Sequence, residues 1–374
     1  MNARTAQLSG GGKKVRRSGI ELLRIFAMLG IILCHLLLNS GAYLGLGYES
    51  TARQVFFASI SGFGKVGVAI FFMITGYFLC ERKTAPQPKR VWPIIRVTLF
   101  YLIVSVVLSF IFLRDKIDFS FPFNSFVAKY LDIFNCDYWF MAAYVLLMVF
   151  TPQIKKMLDC LSKGELIKCC VVITLLASVG TDIWRMLHLG NGVSDNFHFP
   201  TAIVYCLIGY TICRIKDHIR GRSWAICALL LGLFLILISP VVSNYYRDMG
   251  FGELPDLFKR EQATGTLLVA LGGFIIFMKI KWQSRVVNYL ASWTLAEYLI
   301  HNNPFVLWMT IWHGLNSYHF LNYVYLQSFP KACFVIIVSV LGTYIACGLI
   351  ETARRLGVRV IMGLIGKIKC YNKN

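Results

Sequence analysis

Acidic residues are scarce in this chain of 374 residues: 18 Asp and Glu stand against 38 Lys and Arg. Charge of either sign is thin, at 15% of residues, where soluble domains carry about 25%. A chain so poor in charge cannot coat a water-facing globule, so an ordinary soluble fold is excluded. The short alternating segments of a membrane β-barrel are also missing, which removes that class. The twelve cysteines form no C-x-x-C pair and no Cys/His cluster, so neither a disulfide framework nor a metal site is expected. Most of them lie in apolar runs or basic loops, and only Cys136 falls near the side opposite the basic loops. No strong internal repeat and no second, soluble domain is visible.

What the chain does have is apolar length. Hydrophobic residues make up 57% and mean hydropathy is +0.63. Many runs approach the roughly 20 residues that cross a bilayer as helix. The expectation is an all-α, polytopic membrane protein with about ten spans: 20–38, 63–80, 93–113, 138–154, 166–183, 200–213, 223–242, 262–278, 287–311 and 329–350. A basic tail over 1–18, a transmembrane domain over 19–352 and a second basic tail over 353–374 complete the layout. The first run is full length and lacks a cleavage site, so it reads as a span and not as a removable leader.

The net charge of +20 would suit a nucleic-acid partner, but its distribution gives another reason for it. The segments alternating from the N-terminus hold 27 Lys and Arg, whereas the opposite side holds ten and most of the loop acids. That asymmetry is the positive-inside pattern, with both termini cytoplasmic and an even number of spans. The lipid bilayer, not nucleic acid, accounts for the cations.

Within the first run, GIELLRIFAMLGIILCHLLLNSG, Arg24 precedes His35 by eleven residues. At about 100° per residue this is three turns plus roughly 20°, so both lie on one helical stripe about 16 Å apart. Glu21 and Asn39 flank the stripe. Charged and titratable groups inside a span are costly in lipid and read as a site facing the protein interior. The ninth run carries a second such group, with Glu297 and His301 four apart on one face and Tyr298 and Asn302 beside them. Counted from the inner ends, His35 and His301 fall at similar depth. A core histidine satisfied by Glu297 is the bland reading of His301; a two-histidine constellation is the functional one. Near the third span, Arg90 and Arg96 serve either as snorkelling anchors or as an anion pocket at the inner mouth. Trp139, beside Asp137 and Phe140, fits an aromatic belt as readily as a substrate wall.

The residues in order resemble the membrane-bound acyltransferase 3 family, and the resemblance covers nearly the whole chain. Arg24 and His35 match its basic residue, ten residues, histidine signature, and Glu21 matches the acid before it. GKVGVAIFFMITGYFL is similar to its Phe-rich segment, on Phe71, Phe72, Thr75, Gly76 and Tyr77. Trp139 and Phe140 resemble its Trp-Phe motif, and SWTLAEYLIHNN its late Ser…Tyr…His segment on Ser292, Tyr298 and His301. The family often shows an arginine pair three apart before the third span; here Arg90 and Arg96 stand six apart. The late motif looks like the branch acting on bacterial capsule and other surface polysaccharides.

The resemblance implies a multi-pass protein of the bacterial plasma membrane that transfers an acetyl group from acetyl-CoA to a glycan hydroxyl. Arg24, Arg90 and Arg96 would then receive CoA phosphates, and the pantetheine arm would run along the first helix to His35. His35 would act as base or as acyl carrier. Glu297 or Asp137 would orient an imidazole, Asn39 or Tyr298 would steady the oxyanion, and Trp139 and Phe140 would line the acceptor. Two other classes fit the same polar stripe: a flippase for a lipid-linked sugar, and a sensor without catalysis.

Overall fold

The computed structural model describes residues 17–39, 51–84, 86–112, 139–187, 198–219, 221–249, 256–302 and 327–371. Among these residues every regular element is helical. Five helices are long and apolar enough to cross a membrane: Ser18–Leu38, Ala52–Cys80, Lys163–Met186, Ser223–Asp248 and Phe329–Leu364. Two further apolar helices, Phe199–Ile215 and Thr264–Met278, are shorter. The chain is a multi-pass, all-α membrane protein.

The central element is α1, Ser18–Asn39. It packs against α2 (Ala52–Ile60), α3 (Phe63–Cys80), α9 (Thr264–Met278), α10 (Arg285–Leu290), α11 (Thr294–His301) and α12 (Phe329–Tyr371). Between them lie α4 (Trp92–Phe112), α5 (Trp139–Cys160), α6 (Lys163–Met186), α7 (His198–Ile215) and α8 (Ser223–Asp248). One face of α1 is buried through Leu23, Ala27, Ile31 and Cys34, while Phe26 is turned outward. Close packing rests on small residues at the crossings, as the α3 sequence suggests. A Cβ on Gly67 would collide with the Ala27 carbonyl of α1, and one on Gly76 with the Cys206 carbonyl of α7.

Three elements depart from the sequence expectation. The loop before the second span contains α2, whose Thr51 accepts from the Gln54 amide while the Gln54 side chain returns to Thr51. This reciprocal cap starts a helix that buries Phe57 and Ala58. The expected single span over 287–311 is broken instead: α10 passes through a 3₁₀ turn, Ala291–Trp293, into α11. The break is held from outside. Tyr344 donates to the Leu290 carbonyl at 3.0 Å, and the Arg355 guanidinium donates to the Ser292 carbonyl and hydroxyl at 2.6 and 2.7 Å. Non-helical backbone at membrane depth is tolerated where such donors satisfy it. Finally, α12 does not stop near residue 350 but continues to Tyr371. Its Glu351, 2% exposed, accepts from Tyr101, Arg354 and Arg355 at 2.6–2.7 Å and so fastens α4 to α12.

Candidate active site

The two histidines meet. His35 Nδ1 lies 3.0 Å from His301 Nε2, with ring centroids 5.1 Å apart. His301 is fully buried, and its Nδ1 lies 2.5 Å from the Glu297 carbonyl oxygen, one helical turn earlier. A carbonyl only accepts, so the proton of neutral His301 sits on Nδ1 and its Nε2 is a bare acceptor. That acceptor takes the Nδ1–H of His35. In the neutral pair, the lone pair of His35 Nε2 is therefore left open, and among the described residues nothing bonds to it. The carbonyl of Glu297, and not its carboxyl, holds the ring. The last turn of α11 places the imidazole over the i−4 carbonyl, so it is the backbone of Glu297 that the ring contacts. Both Glu297 carboxyl oxygens are buried without a hydrogen-bond partner among the described residues.

Aromatic walls close around the pair. Tyr298 stands edge-on to His301 at 6.1 Å and to Phe140 at 5.2 Å. Phe140 in turn touches Phe72 at 5.2 Å, Phe71 at 5.9 Å and Trp139 at 6.2 Å. Asn302 reaches the Tyr298 hydroxyl at 3.4 Å. Residues from α1, α3, α5 and α11, distant in sequence, thus share one chamber. His301 is fully buried in this aromatic setting, and His35 is half-buried.

Arg24, on the same helix as His35, is paired with Glu21 at 2.8 Å, and the Glu21 side chain is only 7% exposed. The Arg24 side chain is itself 24% exposed, so most of it is covered by protein. Arg90, in the 3₁₀ turn Pro88–Val91, and Arg96, on α4, are exposed and make no ion pair among the described residues. No hydrogen bond or ion pair joins either to Arg24. Asp137 lies outside the described residues, as does the side chain of Asn39.

Sequence reasoning missed Lys65. It lies within electrostatic range of His35 and forms a half-buried ion pair with Glu261, whose backbone carbonyl accepts from Tyr205 at 2.6 Å. The signal was available: Lys65 is a lone cation inside the apolar run of α3, and such residues seek an internal partner. Its partner, some two hundred residues away, could not be read from spacing.

The acyltransferase domain of the acyltransferase 3 family matches residues 17–348. No curated protein and no solved structure matches the chain. The matched span begins just before α1 and runs into α12, enclosing both histidines, the aromatic chamber and Arg24. By that match the chain belongs to the acyltransferase 3 family, as a membrane acyltransferase domain.

Proposed function

We propose that the protein transfers an acetyl group from acetyl-CoA to a hydroxyl of a surface polysaccharide or its lipid-linked precursor. It would do so in the bacterial plasma membrane, as a ten-span protein with both termini cytoplasmic. The observation that carries the reading is the open lone pair of His35 Nε2, aimed by His301 inside an acyltransferase domain. His35 Nε2 takes the proton of the acceptor hydroxyl as its oxygen attacks the thioester carbon. The tetrahedral intermediate collapses, the C–S bond breaks, and the CoA sulfur leaves with the proton returned from His35 Nε2. The ester and free CoA are the products, so atoms and charge balance. His301 is a positioning residue: its Nε2 accepts from His35 Nδ1 throughout and favours the imidazolium while it exists. Tyr298, Trp139 and Phe140 form the wall against which acceptor and thioester would lie, and Asn39 would steady the oxyanion while Asp137 would help orient an imidazole. Arg24, Arg90 and Arg96 are assigned to the anionic donor, Arg being the side chain suited to bidentate phosphate contact.

The test uses the full chain in lipid nanodiscs with radiolabelled acetyl-CoA and a host glycan extract. Acceptor-dependent release of CoA, abolished in His35→Ala, is the expected result, together with one O-acetyl group missing from the glycans of a deletion host. Sugar movement across the bilayer with no consumption of acetyl-CoA would sink the proposal. A labelled acyl-His35 adduct would replace direct transfer with a carrier mechanism.

A further inference from the structure

At the other end of α1 the chain forms a second polar space, a cavity of about 710 Å³. It is built where α3, α7 and α9 end and where α1 and α8 begin, so five helices deliver their termini to one place. Among its eleven lining residues are five cations, Arg17, Lys216, Arg222, Lys279 and Lys281, and one carboxylate, Asp217. Each of these cations taken singly looks like an ordinary positive-inside residue. Their convergence does not, because like charges gathered in one concavity repel unless an anion lies among them.

The walls show which cations are fixed and which are available. The ring of Tyr77 is approached by Arg17 and Lys216, whose charged groups stand 5.8 and 5.9 Å from its centroid, and its hydroxyl accepts from Arg17. Glu81 holds the same two cations at 3.0 and 3.3 Å. Lys279 is tied to the Gly221 carbonyl. Arg222 and Lys281 are exposed, and their side chains have no partner among the described residues. Beside them Trp282, 50% exposed, offers a free aromatic face. Two cations pre-set by Tyr77 and Glu81, two unengaged cations lining the same cavity, and a stacking surface make an arrangement matched to clustered phosphate oxygens.

We propose that this cavity binds a ligand carrying phosphate groups, with Arg222 and Lys281 as its principal contacts and Arg17 and Lys216 as a fixed floor. The shared chemistry is the phosphate; the source is either a soluble nucleotide or the headgroup of an anionic lipid. The inference stands on the cavity alone and does not require the reaction assigned to the imidazole pair. It also differs in place from Arg24, Arg90 and Arg96.

The experiment titrates the full chain in phosphatidylcholine nanodiscs with adenosine 3′,5′-bisphosphate, read by Trp fluorescence. In parallel, retained phosphatidylglycerol is counted by native mass spectrometry. The double variant Arg222→Gln, Lys281→Gln is compared with wild type, because neither side chain supports the fold. A drop of roughly tenfold or more in nucleotide affinity supports the site with a soluble source. Loss of retained phosphatidylglycerol supports it with a lipid source. If both readouts match wild type the proposal is overturned. Lys163→Gln, Lys168→Gln, two exposed cations of α6 that lie in neither site, serves as the control and should leave both readouts unchanged.

Discussion

The two polar regions along α1 solve the same problem in opposite ways. At one end the His35–His301 pair carries no net charge when neutral, closes its hydrogen bonds on a backbone carbonyl, and is walled by Tyr298 and Phe140. At the other end five cations face one cavity and two are left without protein partners. In a chain whose surroundings are mostly lipid or apolar side chains, a polar group is kept either by internal satisfaction or by something that arrives. The imidazole pair is internally satisfied except at one nitrogen, which marks a place for chemistry. The basic cavity is unsatisfied as a whole, which marks a place for binding.

The largest effect expected on this contrast is from His35→Ala, which removes the only open lone pair of the dyad. Acceptor-dependent CoA release should fall by about 10²- to 10⁴-fold, with nucleotide or lipid binding at the basic cavity intact. Equal loss at both ends would mean the regions are not separable. Next is His301→Ala. It leaves His35 Nδ1–H without its acceptor at about 1–3 kcal/mol, so kcat should fall by roughly 10- to 100-fold at unchanged KM for the donor. His301→Gln, which restores an acceptor, should recover part of the rate; a merely structural His301 would show no such rescue. A smaller effect separates the ends by salt. Raising ionic strength from 0.1 to 1 M shortens the screening length from about 10 to about 3 Å. Phosphate binding at the cavity should weaken several-fold while single-turnover chemistry at His35 stays level.

The smallest expected effect is informative because it is small. Glu297→Gln should leave turnover within about threefold of wild type, since the backbone carbonyl and not the carboxyl holds His301. A large loss there would show that the carboxyl acts on the chemistry after all, and would move the boundary of the site.

Much of α1 is legible in the sequence because a helix repeats faithfully: Arg24 and His35 share a stripe by arithmetic, and small residues in α3 announce close packing. Even the cap of α2 was written locally, as Thr51 and Gln54. The break before α11 was not, because the groups that stabilise it, Tyr344 and Arg355, lie more than fifty residues downstream. The same holds for the Lys65–Glu261 pair and for the basic cavity. Each cation there looks ordinary in its own segment, and only the topology that collects five helix ends gives them a common meaning. Periodicity reveals which face a residue occupies; it says nothing about which remote face comes to meet it.

One consequence follows from the Glu297 carbonyl at the end of the imidazole chain. A carbonyl has no proton to pass on, so among the described residues the hydrogen bond of His301 Nδ1 leads no further than Glu297. The dyad is a cul-de-sac and not a wire, and a proton borrowed there has to go back out by the door it came in.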